Sequence, residues 1–405
     1  MTFTAICDSV NIAEKPSAAP PQFQLRCSLA YAAPMSLNGI LVPYLPLWLH
    51  GLNFTPMQIG AILAAQVVFR VFVAMGTGSL SARASDPHHI LVWSAGTSLL
   101  SILGLIVSGD FWVVFAAVAV QAALFAPYTP MVESISISGV KRWGFHYGKM
   151  RVWGSVGFVA TTLIAGSLST AIGNIAIPLM LAGVLLTSFF VAFIAPRLDP
   201  ESGSRRAARR FRAPSRPLGA PVHLLLIGAS LIQSSHGMFY GFSTIQWQTM
   251  GFSNGAISAL WCIGVIAEIG IFFVSGSLAR RLTPLGLLYF GCLMAILRWT
   301  FFPLGSDVWY YGLLQIFHAF SFACVHLGLQ YRLSEMVGED QQASAQGVYV
   351  AYNGAFLAIS TLLAGIIYRQ LEIYGYFAMA LLALLGLAVL AFAARSQPHR
   401  SGVGG

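Results

Sequence analysis

Gly78-Ser79-Leu80 returns as Gly276-Ser277-Leu278, Asp110-Phe111-Trp112 as Asp307-Val308-Trp309, and Leu163-Ile164-Ala165-Gly166 as Leu362-Leu363-Ala364-Gly365, each about 198 residues further on. The stretches around these matches are long and apolar, so the chain reads as one hydrophobic half followed by a second of the same plan. Duplicated apolar halves are the pattern of secondary transport, in which a site between the repeats opens to each side of a membrane in turn. Composition agrees: of 405 residues 57% are hydrophobic and 9% charged, against about 25% charge in a soluble domain. Mean hydropathy is +0.74.

A membrane span needs roughly 20 mostly apolar residues. About twelve such stretches fall near 24–49, 57–80, 88–108, 111–135, 151–171, 174–195, 222–246, 255–278, 285–304, 308–331, 344–367 and 375–394. An all-α integral membrane protein is therefore expected, with a cytoplasmic tail over 1–22 and six-helix bundles over 23–195 and 222–394. A linker spans 196–221 and a second cytoplasmic tail 395–405. The linker holds seven arginines and five prolines, too polar to bury and too proline-rich for a stable helix. The other loops are short and leave no room for a soluble catalytic domain. The five cysteines show no metal or redox spacing, so no enzyme activity, metal or cofactor is expected. Gly144–Met150 has the look of a phosphate loop, but Met150 stands where a hydroxyl would hold magnesium. The first 22 residues lack the basic start and apolar core of a cleaved signal.

A net charge of +9 would suit a nucleic-acid partner, but its placement does not. With the N-terminus inside, nineteen of the 22 Lys and Arg fall in or beside cytoplasmic segments, including Lys141, Arg142, Lys149, the Arg205–Arg216 cluster, Arg280 and Arg281. Arg369 lies outside, and Arg70 and Arg298 lie within spans. This is the positive-inside bias, which puts both termini in the cytoplasm and makes the lipid bilayer, not nucleic acid, the large-scale partner. No small-xxx-small face stands out to specify an oligomer.

Ionisable groups within a bilayer are costly and mark function or pairing. The set is Arg70, Glu133, Arg151, Glu268 and Arg298, with His236, His318 and His326. Arg70 and Glu268 are repeat mates, so one half carries a cation where the other carries an anion. An ion pair or gate between the halves competes here with a substrate or proton role. Gln233, His236, Tyr240, Ser243 and Trp247 share one face of the seventh span, and Gln346, Tyr349, Asn353 and Phe356 one face of the eleventh. Such stripes face a cavity or a neighbouring helix. Asn38 is the mate of His236 and Gln121 that of His318, which suggests a shared cavity. Pro34, Pro43, Pro46, Pro127 and Pro130 free backbone carbonyls, tolerated only where protein or water satisfies them. The first and fourth spans are thus expected to line the pathway. Trp48 and Trp247 read as interfacial anchors, with a cavity wall as the alternative.

Tyr147-Gly148-Lys149-Met150-Arg151-Val152-Trp153-Gly154-Ser155-Val156-Gly157-Phe158 resembles a signature of the lactose-permease-like branch of the major facilitator superfamily. That branch has an acidic residue 18 positions before the arginine, as Glu133 stands before Arg151, and the resemblance implies a role for the pair in substrate recognition. Gly78–Arg83 looks like the superfamily's loop motif, with Ala82 in place of its acidic residue, and implies a gating role for Arg83. His236–Ser243, Gly264–Glu268, Arg298-Trp299, His318 and His326 are similar to the 3-phenylpropionic acid transporter family. The resemblance covers nearly the whole chain. It implies the major facilitator fold, the bacterial inner membrane and proton symport. Lactose permease has a glutamate three residues after its tenth-span histidine, where this chain has Ser321. Glu268 is the natural substitute as proton carrier.

The expectation is a proton-coupled importer of a small aromatic monocarboxylate, with protons carried by Glu268, Arg298, His318 and His326. Substrate contacts are expected from Asn38, Gln121, Glu133, Arg151, His236, Tyr240, Trp247, Tyr349 and Asn353, with Arg70 and Arg83 at gates. Arg151 or Arg298 is expected to hold the carboxylate through paired N–H donors. A sugar or nucleoside symporter, an exporter of small organic compounds and a polytopic sensor are the alternatives.

Overall fold

The computed structural model describes residues 18–83, 87–197 and 217–395. Among them there is no strand; helices follow one another with short turns. They are α1 (Phe23–Gly51), α2 (Pro56–Arg83), α3 (Pro87–Ile102), α4 in two pieces (Phe111–Phe125, Tyr128–Trp143), α5 (Tyr147–Ile172) and α6 (Ala176–Ile194). The second half has α7 in two pieces (Ala220–Ser234, Gly237–Thr249), α8 (Asn254–Arg281) and α9 (Pro284–Phe301). It continues with α10 (Val308–Ala319, then Val325–Met336), α11 (Glu339–Leu371) and α12 (Tyr376–Arg395).

Nine helical stretches among the described residues are long and apolar enough to cross a membrane. Two of them, of 48 and 55 residues, each turn at a 3-10 segment, Gly173–Ile175 and Glu372–Gly375. The 29 residues of α1, at 1.5 Å per residue, also exceed the roughly 30 Å of a hydrocarbon core. Each of the twelve apolar stretches read from the sequence coincides with a helix or a broken helix. The tails over 1–17 and 396–405 and most of the linker, 198–216, lie outside the described residues. The linker's last two expected residues instead begin α7, where Pro221 sits in the first turn and its missing N–H costs nothing.

The sequence repeat is also a repeat of packing. In the first half α1 packs on α5 and α6, α2 on α4, and α3 on α6; in the second, α7 packs on α11 and α12, α8 on α10, and α9 on α12. Between the halves α2 meets α11 and α5 meets α8, again a related pair. The repeated aspartate has a local cause. Asp110 accepts from the backbone N–H of Trp112 (2.9 Å) and Val113 (3.3 Å), and Asp307 from those of Trp309 (2.9 Å) and Tyr310 (3.0 Å). Both cap the first turn of a helix, worth about 1 kcal/mol each.

The prolines of α1 leave that helix continuous, because a neighbour covers the freed groups. Pro43 has no N–H to give the carbonyl of Gly39, and Thr162 Oγ1 on α5 donates to it at 2.8 Å. The approach is close enough that a Cβ on Gly39 would lie 2.5 Å from Phe158 O. α4 breaks before Pro127. α7 breaks at Ser235-His236, where Ser235 Oγ bonds back to Ile232 O at 2.6 Å, a contact that bends helices. α10 widens into a π-helical turn at Phe320–Cys324.

Among the described residues the halves are tightly joined at one end. Tyr44 shares a hydrogen bond with Ser258 and donates to Asn254 O at 3.1 Å, Ser258 Oγ donates to Thr162 O at 2.8 Å, and Asn254 Nδ2 donates to Thr170 Oγ1 at 3.1 Å. A Cβ on Gly365 would fall 2.5 Å from Pro56 O, and one on Gly166 2.8 Å from Asn254 O. At the other end, which carries the basic loops, no described heavy atom beyond its own helix turn comes within 4 Å of a Cβ built on Gly270 or Gly347. Among the described residues the bundle is closed at the first end and open at the second.

Candidate functional site

Between the halves lies a cavity of about 380 Å³, walled by α1, α2, α4 and α11. Its apolar lining includes Leu37, Val67, Phe125 and Leu357, and its polar lining Asn38, Gln66, Arg70, Gln121, Tyr349 and Asn353. The proline-bearing α1 and the broken α4 both line it, as their prolines lead one to expect. Gln121 Oε1 and Asn353 Oδ1 are buried there without a hydrogen-bond partner among the described residues.

Glu133 sits beside the expected Arg151, Nε to Oε1 at 3.7 Å. Two phenols complete its shell: Tyr31 and Tyr147 each donate to Glu133 Oε2 at 2.8 Å. The Arg151 guanidinium also lies over the Tyr31 ring, 5.6 Å from its centroid. Arg151 remains within electrostatic reach of Glu268 in the other half. Tyr147 stood in the signature stretch, but nothing in the sequence pointed to Tyr31.

The second-half cluster centres on Arg298, which is 0% exposed. Its Nε donates to Leu314 O (3.1 Å), Nη1 to His318 Nδ1 (3.2 Å) and Nη2 to Gln315 Oε1 (2.7 Å). The guanidinium is flanked by the Phe239 and Trp299 rings at 4.3 and 4.4 Å. A guanidinium only donates, so His318 Nδ1 accepts and the ring's proton sits on Nε2. That nitrogen is 4.0 Å from Glu268 Oε2. Glu268 is half-buried, its side chain 22% exposed. Side chains thus run in sequence from a buried arginine through a histidine to a partly exposed carboxylate.

Several expected site residues lie elsewhere. His236 is fully buried, its Nδ1 against Gln233 O (3.1 Å) and Nε2 against Ser321 Oγ (3.4 Å), with Trp299 and His318 beside it. The cause is Arg298: a buried cation gathers polar and aromatic partners, and α7, α9 and α10 close around it. Asn38 and Gln121 therefore face the cavity while their mates His236 and His318 turn into the second half. Trp247 is 0% and Trp48 4% exposed, so neither is an interfacial anchor, and neither lines the cavity. Trp247 packs against Phe239, Trp261 and Tyr311. Tyr240 stacks on His236 and lies within electrostatic reach of Arg70, Glu268 and Arg298. His326 packs edge-on to Phe272 at 6.5 Å, apart from the His318 chain. Arg70 and Glu268 form no ion pair with each other among the described residues; the Glu268 partner is His318. The side chain of Arg83 lies outside what is described. Gln66 and Gln315 were missed, though each stands one turn before a residue that was singled out.

Duplicated helical halves around a central polar cavity define a membrane transporter of the major facilitator type. The chain matches the MFS_1 like family over residues 25–379 and belongs to it. It is 29% identical over 366 residues, 88% of this chain and 94% of the relative, to an Escherichia coli (strain K12) protein named a probable 3-phenylpropionic acid transporter. It is 23% identical to the maltose permease of Geobacillus stearothermophilus, over 87% of this chain and 82% of that one. Among solved structures it superposes on the nucleoside transporter NupG with a TM-score of 0.75 at 14% identity, covering 92% of this chain and 98% of that one. It is thus a multi-pass membrane transporter and not an enzyme.

Proposed function

We propose that this chain is a proton-coupled importer of a small aromatic monocarboxylate. It would reside in a bacterial inner membrane with both termini and the basic loops cytoplasmic. The halves over 23–195 and 222–394 rock about the cavity, and the arrangement open towards the basic loops is the inward-open one. The observation that carries the reading is the approach of His318 Nε2 to Glu268 Oε2 at 4.0 Å, with Arg151 of the other half within electrostatic reach of that carboxylate. Glu268 takes a proton when it faces the outside and yields it inside, while Arg298, held by its own partners, fixes the His318 tautomer that faces it. The cavity volume is in the range of small-molecule sites, and its mixed lining suits an aromatic body with a polar end. The name given to the E. coli relative favours this class.

The test is uptake of labelled 3-phenylpropionate by proteoliposomes under an imposed pH gradient, against protein-free liposomes, because the neutral acid also crosses lipid unaided. Accumulation above that control supports the reading, and its absence sinks it. Glu133, ringed by Arg151, Tyr31 and Tyr147, favours a second reading as a sugar symporter, since a carboxylate among donors is suited to hydroxyl groups. Uptake of labelled maltose under the same gradient, with no inhibition by phenylpropionate, would select it.

A further inference from the structure

Three arginines stand within the helical core, and two are already engaged. Arg298 has zero exposure, and Nε and both Nη are bonded within its own half. No ligand reaches it without dismantling that shell. Arg151 is paired with Glu133 and laid over Tyr31. A carboxylate arriving there would meet another carboxylate at 3.7 Å from the same guanidinium.

Arg70 differs on each count. It is exposed, lines the central cavity, and takes part in no ion pair or side-chain hydrogen bond among the described residues. Gln66 stands one turn before it on α2, with Asn38 on α1 and Asn353 on α11 around the same space. An unpaired cation held at membrane depth is costly unless something negative visits it. Two further atoms at the same cavity also lack partners among the described residues: Gln121 Oε1, on a residue 2% exposed, and Asn353 Oδ1. A guanidinium beside unsatisfied amides is a site with hydrogen-bonding capacity held open.

We infer that Arg70, and not Arg151 or Arg298, holds the carboxylate of the transported acid in the central cavity. Resting on the aromatic-acid reading above, this assigns the residue that selects acids over neutral analogues. The carboxylate docks on the N–H pair of Arg70, the chain and ring extend along Leu37, Val67, Phe125 and Leu357, and Gln121 Oε1 and Asn353 Oδ1 accept from waters around the ligand. Arg70 sits on the first-half side of the cavity and Glu268 in the second half, so anion and proton occupy separate sites. Tyr240 lies within electrostatic reach of both.

The test is calorimetric binding of 3-phenylpropionate and of its neutral amide to purified wild type, Arg70→Gln, Arg70→Lys and Arg151→Gln. Wild type should prefer the acid on the order of 10- to 100-fold, the scale of hydrogen bonds to a charged group. Arg70→Gln should bind acid and amide alike with its melting temperature preserved. Arg70→Lys, which keeps the charge without the paired donors, should lose several-fold in acid binding and nothing for the amide. It carries the test if the glutamine variant does not fold. Arg151→Gln should keep the preference. Undiminished acid preference in both Arg70 variants, with wild type binding, overturns the assignment while the transport reading stands. Failure of wild type to bind the acid overturns both.

Discussion

Replacing Arg298 by methionine separates a structural cation from a ligand-holding one. The substitution leaves Gln315 Oε1 and His318 Nδ1, bonded at 2.7 and 3.2 Å, without their donor inside a closed shell. Each orphaned acceptor costs about 1–3 kcal/mol. The Phe239 and Trp299 faces lose a cation at 4.3 and 4.4 Å, about 0.5–2 kcal/mol each. Against this, the desolvation of the buried charge disappears, and a thioether packs well against aromatic rings. The net loss should be about 2–4 kcal/mol. At about 2–4 °C per kcal/mol for a unit of 150–250 residues, the melting temperature should fall roughly 5–15 °C. Tryptophan fluorescence in detergent reads this directly, since Trp299 donates to Ser235 Oγ at 2.8 Å within the same cluster. Binding of the acid, once the protein is folded at low temperature, should survive. An unchanged melting temperature together with lost acid binding would return the carboxylate to Arg298.

Three further outcomes follow from the same geometry. Glu268→Gln should abolish accumulation under a pH gradient yet leave exchange of internal for external substrate intact; counterflow assays check it, and loss of both activities would count against a role limited to the proton. Thr162→Val should strip the Gly39 carbonyl of the donor that replaces the missing Pro43 N–H, costing about 1–3 kcal/mol, seen as a lower melting temperature with substrate affinity unchanged. Gly166→Val should prop open the closed end, where Ser258, Tyr44 and Asn254 meet that glycine. Single-cysteine alkylation from the outer face should then rise, and unchanged labelling would mean that this contact does not set the conformation.

The helices and the two-part plan were legible because both rest on local chemistry. Apolar length marks a span, and Asp110 and Asp307 mark helix starts by capping backbone N–H groups. The resemblance to the lactose-permease-like signature also paired Glu133 with Arg151, a contact between neighbouring helices. What it did not carry was the rotation of each helix about its axis. Repeat arithmetic put His236 with Asn38 and His318 with Gln121, but one buried arginine in the second half drew both histidines inward, and the first half has no counterpart to Arg298. Trp247 looked like an anchor by its place near a helix end, whereas Phe239, Trp261 and Tyr311 enclose it. Repeat equivalence likewise linked Arg70 to Glu268 without bringing them together. Tyr31 carried no signal, since a tyrosine on a membrane helix gains meaning only from the carboxylate that the fold places opposite it.

In the proposed mechanism, entry of the acid is coupled to a proton carried on Glu268. The direct measurement is external pH in a lightly buffered, de-energised proteoliposome suspension when 3-phenylpropionate is added, with protein-free liposomes subtracted. Wild type should draw protons from the medium as substrate enters, and Glu268→Gln should not while still exchanging substrate. Substrate entry with no protein-dependent proton movement, or equal proton uptake by the glutamine variant, would contradict it.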